Sequence, residues 1–75
     1  MFDLKIERPD CFSKAQTTVL EIFKDSQSIE SLQNSLKSMR FISSSYIIKS
    51  SNLQVWLIDK YDCCQRRAAL FEEVI

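Results

Sequence analysis

Leu53-Gln54-Val55-Trp56-Leu57-Ile58-Asp59 is the stretch that decides the fold of this chain, because it is apolar on both faces when extended. Successive side chains of a strand point to opposite faces, so Val55 and Leu57 lie on one side and Trp56 and Ile58 on the other. Strands that are apolar on both faces usually lie inside a sheet. The stretch therefore predicts a central strand with a neighbour on each side.

Two flanking strands are predicted from the residues before it. Residues 2–7 alternate apolar and charged side chains, which is typical of a half-buried strand. Residues 41–49 form the second, joined to the central strand by Ser50-Ser51-Asn52. Because the chain has no glycine, another residue of that hairpin must adopt positive φ, and Asn52 is expected to do so.

Three helices are predicted between and after these strands. The first covers residues 13–23, where Ser13 and Gln16 have the form of a capping box. Residues 17–19 are β-branched, which favours a strand, so a strand is the alternative for this segment. The apolar residues that share one face of the helix are Ala15, Val19, Ile22 and Phe23.

The sequence supports the second helix more strongly than the third. Ser28 caps a helix over residues 29–39, whose apolar stripe is Ile29, Leu32, Leu36 and Met39. The last helix would begin at Asp62, with Gln65 at its third position and Phe71 on its apolar face. Glu72 and Glu73 oppose the helix dipole at its end, so fraying is expected there.

The element order is therefore β-α-α-β-β-α. Residues 1–75 are expected to form a single small α+β domain, with a three-stranded antiparallel or mixed sheet and helices packed on one face. The crossover from the first strand to the second makes these two parallel, and the third strand lies antiparallel between them.

Composition argues against catalysis. The chain contains no histidine and no glycine, so it lacks the usual general base and the glycine-rich phosphate loops. We expect no enzyme activity, no cofactor, no metal and no small-molecule substrate. Ten basic and ten acidic residues give zero net charge, so no long-range field attracts nucleic acid or anionic lipid.

Cys63 and Cys64 are the one unusual pair. A thiolate at a helix N-terminus is activated as a nucleophile. An enzyme that uses Cys63 is therefore a third hypothesis for the function, and it ranks last. The adjacent spacing is neither a redox nor a zinc pattern. We therefore expect two small packing residues of a helix, one of them buried, with no disulfide between them. Cys11 is expected to be a packing residue too.

The expected compartment is the cytoplasm, and no membrane contact is expected. Apolar runs are only a few residues long, far short of a membrane span. The first residues do not combine a basic segment with an apolar one, so no secretory signal is expected. An odd number of cysteines, three, suits a reducing environment.

The function that this sequence favours is a small non-catalytic protein-binding module, such as a regulator, inhibitor or adaptor. Its partner would be another protein or a second copy of the chain. The expected surface is the open sheet face or the edge strand over residues 43–49. The residues predicted to contact the partner are Trp56, Ile58, Gln54, Ser43, Ser45 and Tyr46. The alternative for Trp56 is a place in the core.

A small RNA- or DNA-binding domain is the second hypothesis. Tyr46 and Trp56 would stack on bases. Lys60, Arg66 and Arg67 would contact phosphates. Zero net charge ranks this hypothesis lower, and specific nucleic-acid binding at physiological salt is not expected.

Overall fold

A computed structural model describes residues 1–74, with the side chain of Lys14 outside that description, and shows an α+β fold. Four strands form one antiparallel sheet in the order β1-β4-β3-β2. The elements in chain order are β1 (Phe2–Ile6), a 3-10 turn (Pro9–Cys11), α1 (Lys14–Phe23), α2 (Ile29–Ser38), α3 (Arg40–Ser45), β2 (Tyr46–Ser51), β3 (Gln54–Asp59) and β4 (Arg67–Glu73).

The predicted fold class and the central strand are confirmed. β3 lies between β4 and β2, with Val55 opposite Phe71 on one side and Ser50 on the other. Val55 and Leu57 are fully buried. The predicted number of strands is wrong, because the sheet has four strands where three were expected.

The fourth strand replaces the predicted last helix. Residues 67–73 pair with β1 on one side and with β3 on the other, and residues 68–71 are all buried. Ala68, Ala69 and Leu70 favour a helix as local sequence. Here the two sets of ladder hydrogen bonds and burial on both faces outweigh that propensity. The same insertion separates β1 from β3 and leaves β1 and β2 running in opposite directions, so the prediction that the first two strands run parallel with the third between them is also wrong.

The predicted strand over residues 41–49 is a helix followed by a strand. Met39 is extended and ends α2, and α3 then runs from Arg40 to Ser45 with Ile42 buried beneath it. Serine hydroxyls support the short helix, because Ser43 Oγ donates to the carbonyl of Arg40 at 3.2 Å. Ser43 and Ser45 therefore belong to α3 and not to the sheet, which corrects their predicted place on an edge strand. β2 itself is an edge strand.

The capping signals for α1 and α2 are confirmed. Ser13 Oγ accepts from the amide of Gln16 at 3.2 Å, and Gln16 Oε1 accepts from the amide of Ser13 at 3.1 Å. Ser28 Oγ accepts from the amide of Ser31 at 3.1 Å. Each cap satisfies an amide that has no partner within the helix.

The buried face of α1 differs from the predicted stripe. Leu20 is fully buried, and Ile22 is 67 % exposed. Phe23, which belongs to the predicted stripe, is half-buried against the core, whereas Leu20, which does not belong to it, is the residue that packing on the sheet buries fully. In α2 the predicted stripe is correct at Leu32 and Leu36, which are both fully buried.

The hairpin between β2 and β3 places its strain on Leu53. Leu53 has φ 64°, in the left-handed region where a β-carbon is disfavoured. Asn52, which was expected to adopt positive φ, does not. The turn is two residues long, and β3 begins at Gln54. The register of the β2–β3 ladder therefore decides that Leu53 takes the positive φ.

The core fills the space between the helices and one face of the sheet. The buried side chains of this core include Phe2, Leu20, Leu32, Leu36, Ile42, Val55, Leu57 and Phe71. None of the helices in the described part of the chain combines the length and the apolarity needed to cross a bilayer. The helices of residues 1–74 contribute side chains to this core, and none of them packs on the opposite face of the sheet, which is called the open face below.

Candidate functional site

The open face is organised in rows that the strand register defines. One row crosses the sheet from β2 to β1 as Lys49, Trp56, Leu70 and Lys5. The next row is Ser51, Gln54, Glu72 and Asp3. The face therefore has an apolar centre between two lysines, beside a row that ends in two carboxylates.

Trp56 and Leu70 form the apolar centre. They are direct partners on β3 and β4 and both point away from the helices. Trp56 is half-buried, and Leu70 is 5 % exposed. A large aromatic side chain on a sheet surface covers its neighbour, so the partly exposed indole lies over apolar material.

A groove opens beside this centre. It has a volume of about 770 Å³. Its lining comes from the end of β1, the middle of β3 and the segment that enters β4, and the residues are Glu7, Arg8, Asp10, Trp56, Ile58, Gln65, Arg66 and Arg67. Trp56 and Ile58 supply the apolar surface, and charged side chains surround it.

An ion pair between the first strand and the last bounds the groove. Arg67 Nε donates to Glu7 Oε2 at 2.8 Å, and its Nη2 contacts the other carboxylate oxygen. This hydrogen bond holds the pKa of Glu7 below its usual value. Both side chains are more than a third exposed, so the pair fixes geometry more than it stabilises the fold.

The other cations of the groove differ in their partners. Arg8 pairs with Asp62 and lies 4.0 Å from Asp10. Within residues 1–74, Arg66 makes no ion pair and is exposed. Arg66 is therefore the guanidinium of the groove that is available to an outside carboxylate or phosphate.

Three of the predicted partner-binding residues come together on the open face. Trp56 and Ile58 line the groove, and Gln54 lies one row away, where its Nε2 donates to Glu72 Oε2 at 2.8 Å. Leu70 could not be predicted for this face, because residues 67–73 favour a helix by local sequence. Glu7 and Arg8 could not be predicted either, because their place beside Arg67 depends on the β1–β4 pairing.

Tyr46 is not on the open face. It is 4 % exposed, and its ring stacks on Phe12 at a centroid distance of 5.0 Å. The hydroxyl donates to the carbonyl of Cys11 at 2.6 Å. Because the ring faces the helices, the prediction that Tyr46 contacts a partner or stacks on a base is corrected to a role in packing.

A small polar cluster surrounds that tyrosine. Cys11 Sγ donates to Asp59 Oδ2 at 3.1 Å. Burial and then this bond raise the pKa of the Cys11 thiol, and the same bond lowers the pKa of Asp59. A thiol with a raised pKa is a poor nucleophile, so the cluster favours structure over thiol chemistry.

The predicted basic cluster is divided. Arg66 and Arg67 line the groove, with Arg67 held by Glu7. Lys60 is outside the groove lining, and its Nζ donates to the carbonyl of Ser43 in α3 at 2.7 Å. The three side chains therefore do not converge on one phosphate.

Cys63 and Cys64 lie in the loop between β3 and β4, and both are exposed. Their predicted place in a helix, with one of them buried, is wrong because residues 62–66 form a turn that leads into β4. Their Sγ atoms are 3.8 Å apart.

Comparison of the chain with protein-family models, with curated proteins and with solved structures finds no match.

Proposed function

We propose that this chain is a small non-catalytic protein-binding module, and that its partner docks on the open face around Trp56. One observation carries the proposal. A tryptophan lies at the middle of the open face, which no helix in the described part of the chain covers, between Lys49 and Leu70 in its row. Central tryptophans surrounded by polar side chains are the most frequent energetic centres of protein interfaces.

The groove indicates the chemistry of the partner. Trp56 and Ile58 offer an apolar surface, and beside it Arg66 offers a cation that forms no ion pair with the residues that the structure describes. A complementary segment would insert an apolar side chain next to Trp56 and place a carboxylate against Arg66. Glu7 and Arg67 already neutralise each other, so they form a polar rim that needs no charge from the partner.

The ionisable groups of the groove support a binding role over catalysis. The pKa of Glu7 is lowered, which makes this carboxylate a weaker proton acceptor than a free one. Asp10 and Arg8 are near one another, and the chain has no histidine to complete an acid–base pair. The cytoplasm remains the proposed compartment, and the odd number of cysteines supports it.

The test is a comparison of Trp56→Ala with the wild type. Self-association is measured by analytical ultracentrifugation over a concentration series, and partners are captured from extract of the source cells. Loss of a central interface tryptophan commonly costs about 2 kcal/mol or more of binding, which is roughly 30-fold in affinity. We expect such a loss for the association that the wild type shows.

Ile22→Ala is the matched control, because Ile22 is an exposed apolar residue of α1 and lies outside the groove lining. This variant should bind as the wild type does. Thermal unfolding establishes that both variants are folded. The proposal is wrong if folded Trp56→Ala keeps the wild-type affinity, or if Ile22→Ala loses as much.

Nucleic-acid binding is the second candidate, and the observation that favours it is the position of Arg66 beside Trp56. Trp56 would stack on a base while Arg66 contacts a phosphate. The pairing of Arg67 with Glu7 and of Arg8 with Asp62 leaves little free positive charge for a phosphate backbone. Capture with and without nuclease decides between the two, because only a nucleic-acid partner is lost on digestion.

A further inference from the structure

The loop between β3 and β4 presents two thiols to solvent. Cys63 and Cys64 are both exposed, and the turn that carries them is fixed at two points. The amide of Cys64 donates to Asp62 Oδ1 at 2.9 Å, and the amide of Gln65 donates to the carbonyl of Asp62 at 2.9 Å. Gln65 has φ 48°, which turns the chain sharply after the second cysteine.

This turn gives the two sulfurs the separation of a chelating pair. Adjacent cysteines in a regular strand point to opposite faces and cannot share a ligand. Here their Sγ atoms are 3.8 Å apart. Two thiolates bound at about 2.3 Å to one tetrahedral ion are also about 3.8 Å apart. The spacing that argues against a zinc site in the linear sequence is therefore overcome by the local fold.

Asp62 supplies a third donor in the same turn. A carboxylate oxygen of Asp62 and the two sulfurs all lie within 4.8 Å of one another. The carboxylate is held by Arg8 and by the amide of Cys64, and its side chain is 11 % exposed. The exposed cysteine side chains can rotate toward it, since the turn does not bury them.

The charges also suit a divalent cation. Two thiolates and one carboxylate carry three negative charges, and a divalent ion leaves one. The Arg8 guanidinium that contacts Asp62 offsets that remaining charge. A partner that orients a ligating carboxylate commonly supports metal affinity by about 10- to 100-fold.

We propose that Cys63, Cys64 and Asp62 form a binding site for one thiophilic divalent cation of the zinc and cadmium class. Water completes the tetrahedral coordination. On binding, each thiol releases its proton to solvent and forms a sulfur–metal bond, with no change of oxidation state. The site lies outside the groove lining except through Arg8, so it does not depend on the proposed protein-binding function.

The experiment is a titration of the reduced protein with Cd²⁺ alone, under nitrogen and after the reductant has been removed. The thiolate-to-cadmium absorption in the ultraviolet reports coordination by sulfur. A chromophoric chelator in competition gives the affinity for Cd²⁺ and for Zn²⁺. The wild type should saturate at one ion per chain.

Substitutions in the loop should act in a fixed order. Cys63→Ser and Cys64→Ser should each remove about half of the absorption. Each should also weaken metal binding by more than roughly 100-fold, which is the cost of losing a residue that only orients a ligand. Asp62→Asn should weaken affinity and leave the absorption intact. Cys11→Ser and Asp25→Asn are the controls, and both should match the wild type, because within residues 1–74 neither side chain pairs with the loop or with Arg8.

Several results would overturn the proposal. They are binding that never saturates, saturation at one ion for two chains, equal affinity in the Cys63→Ser Cys64→Ser double variant, and loss of binding in Cys11→Ser. Thermal unfolding without metal shows that each variant is folded. Cys63 and Cys64 are exposed and lie outside the hydrophobic core, so the two serine variants should be as stable as the wild type.

Discussion

Tyr46→Phe is the substitution whose effect the structure defines most closely. It removes one oxygen atom and leaves the ring that stacks on Phe12 at 5.0 Å. The lost hydroxyl donates to the carbonyl of Cys11 at 2.6 Å, and this bond joins β2 to the segment after β1. The change in the free energy of unfolding therefore reports that one contact.

The expected magnitude at neutral pH is small. A hydrogen bond between neutral groups contributes about 1 kcal/mol to stability, and the carbonyl of Cys11 loses its partner. Cys11 is only half-buried, so water can reach part of this site and limits the loss. We expect Tyr46→Phe to lower the free energy of unfolding by about 1 kcal/mol.

The difference between the two proteins should change sign at alkaline pH. Burial, and then the charges of Cys11 and Asp59, raise the pKa of Tyr46 to about 12. In the unfolded chain the pKa is about 10. Because the folded pKa is the higher one, this stability is fully present below pH 10 and is lost as pH rises through 12. The loss is about 1.4 kcal/mol at pH 11, so the wild type should become the less stable protein between pH 10 and 11.

Urea unfolding followed by circular dichroism, at intervals from pH 7 to pH 11, measures this difference. All other ionisable groups are the same in the two proteins, so the comparison isolates the hydroxyl of Tyr46. A difference that stays constant from pH 7 to pH 11 would show that the hydroxyl is not buried in the folded state. A loss above about 3 kcal/mol at pH 7 would mean that the ring itself had moved, since one hydrogen bond does not account for it.

Two further substitutions test local features. Leu53→Asn should raise the free energy of unfolding by up to about 1 kcal/mol in the same urea assay, because asparagine tolerates the φ of 64° at this turn better than leucine. A destabilised variant would show that the contacts of the leucine side chain contribute more free energy than its unfavourable backbone conformation costs. Ser13→Ala should lower it by about 1 kcal/mol, because the capping box at the start of α1 is lost; an unchanged midpoint in urea would mean that the end of the helix is held by packing alone.

Local signals in the sequence predicted much of the fold. The capping box at Ser13 and the cap at Ser28 placed two helix starts correctly, because a cap is formed by residues within one turn. The double-sided apolar pattern of residues 54–59 placed β3 inside the sheet. The same pattern put Trp56 on the face opposite Val55 and Leu57, and the candidate surface follows from it.

The final strand was beyond local signals. Ala68, Ala69 and Leu70 favour a helix, and Asp62 resembles a helix cap. In the folded chain Asp62 caps a tight turn instead, and β4 fills the space between β1 and β3. Pairing between strands that are far apart in sequence leaves no pattern in the local sequence. The position of Leu70 next to Trp56 could therefore not be predicted.

What the sequence determined by itself is the set of properties that depend on neighbours along the chain: the α+β class, two helix starts, and the two-sided character of β3. Tertiary structure decided which strands are neighbours in the sheet and which side chains lie on the same face. It moved Tyr46 into the core, joined Glu7 to Arg67 across the groove, and placed Cys63 and Cys64 on an exposed loop and not in a helix. These contacts depend on where β4 enters the sheet, and the free energy that selects that position comes from hydrogen bonds and burial shared by distant segments.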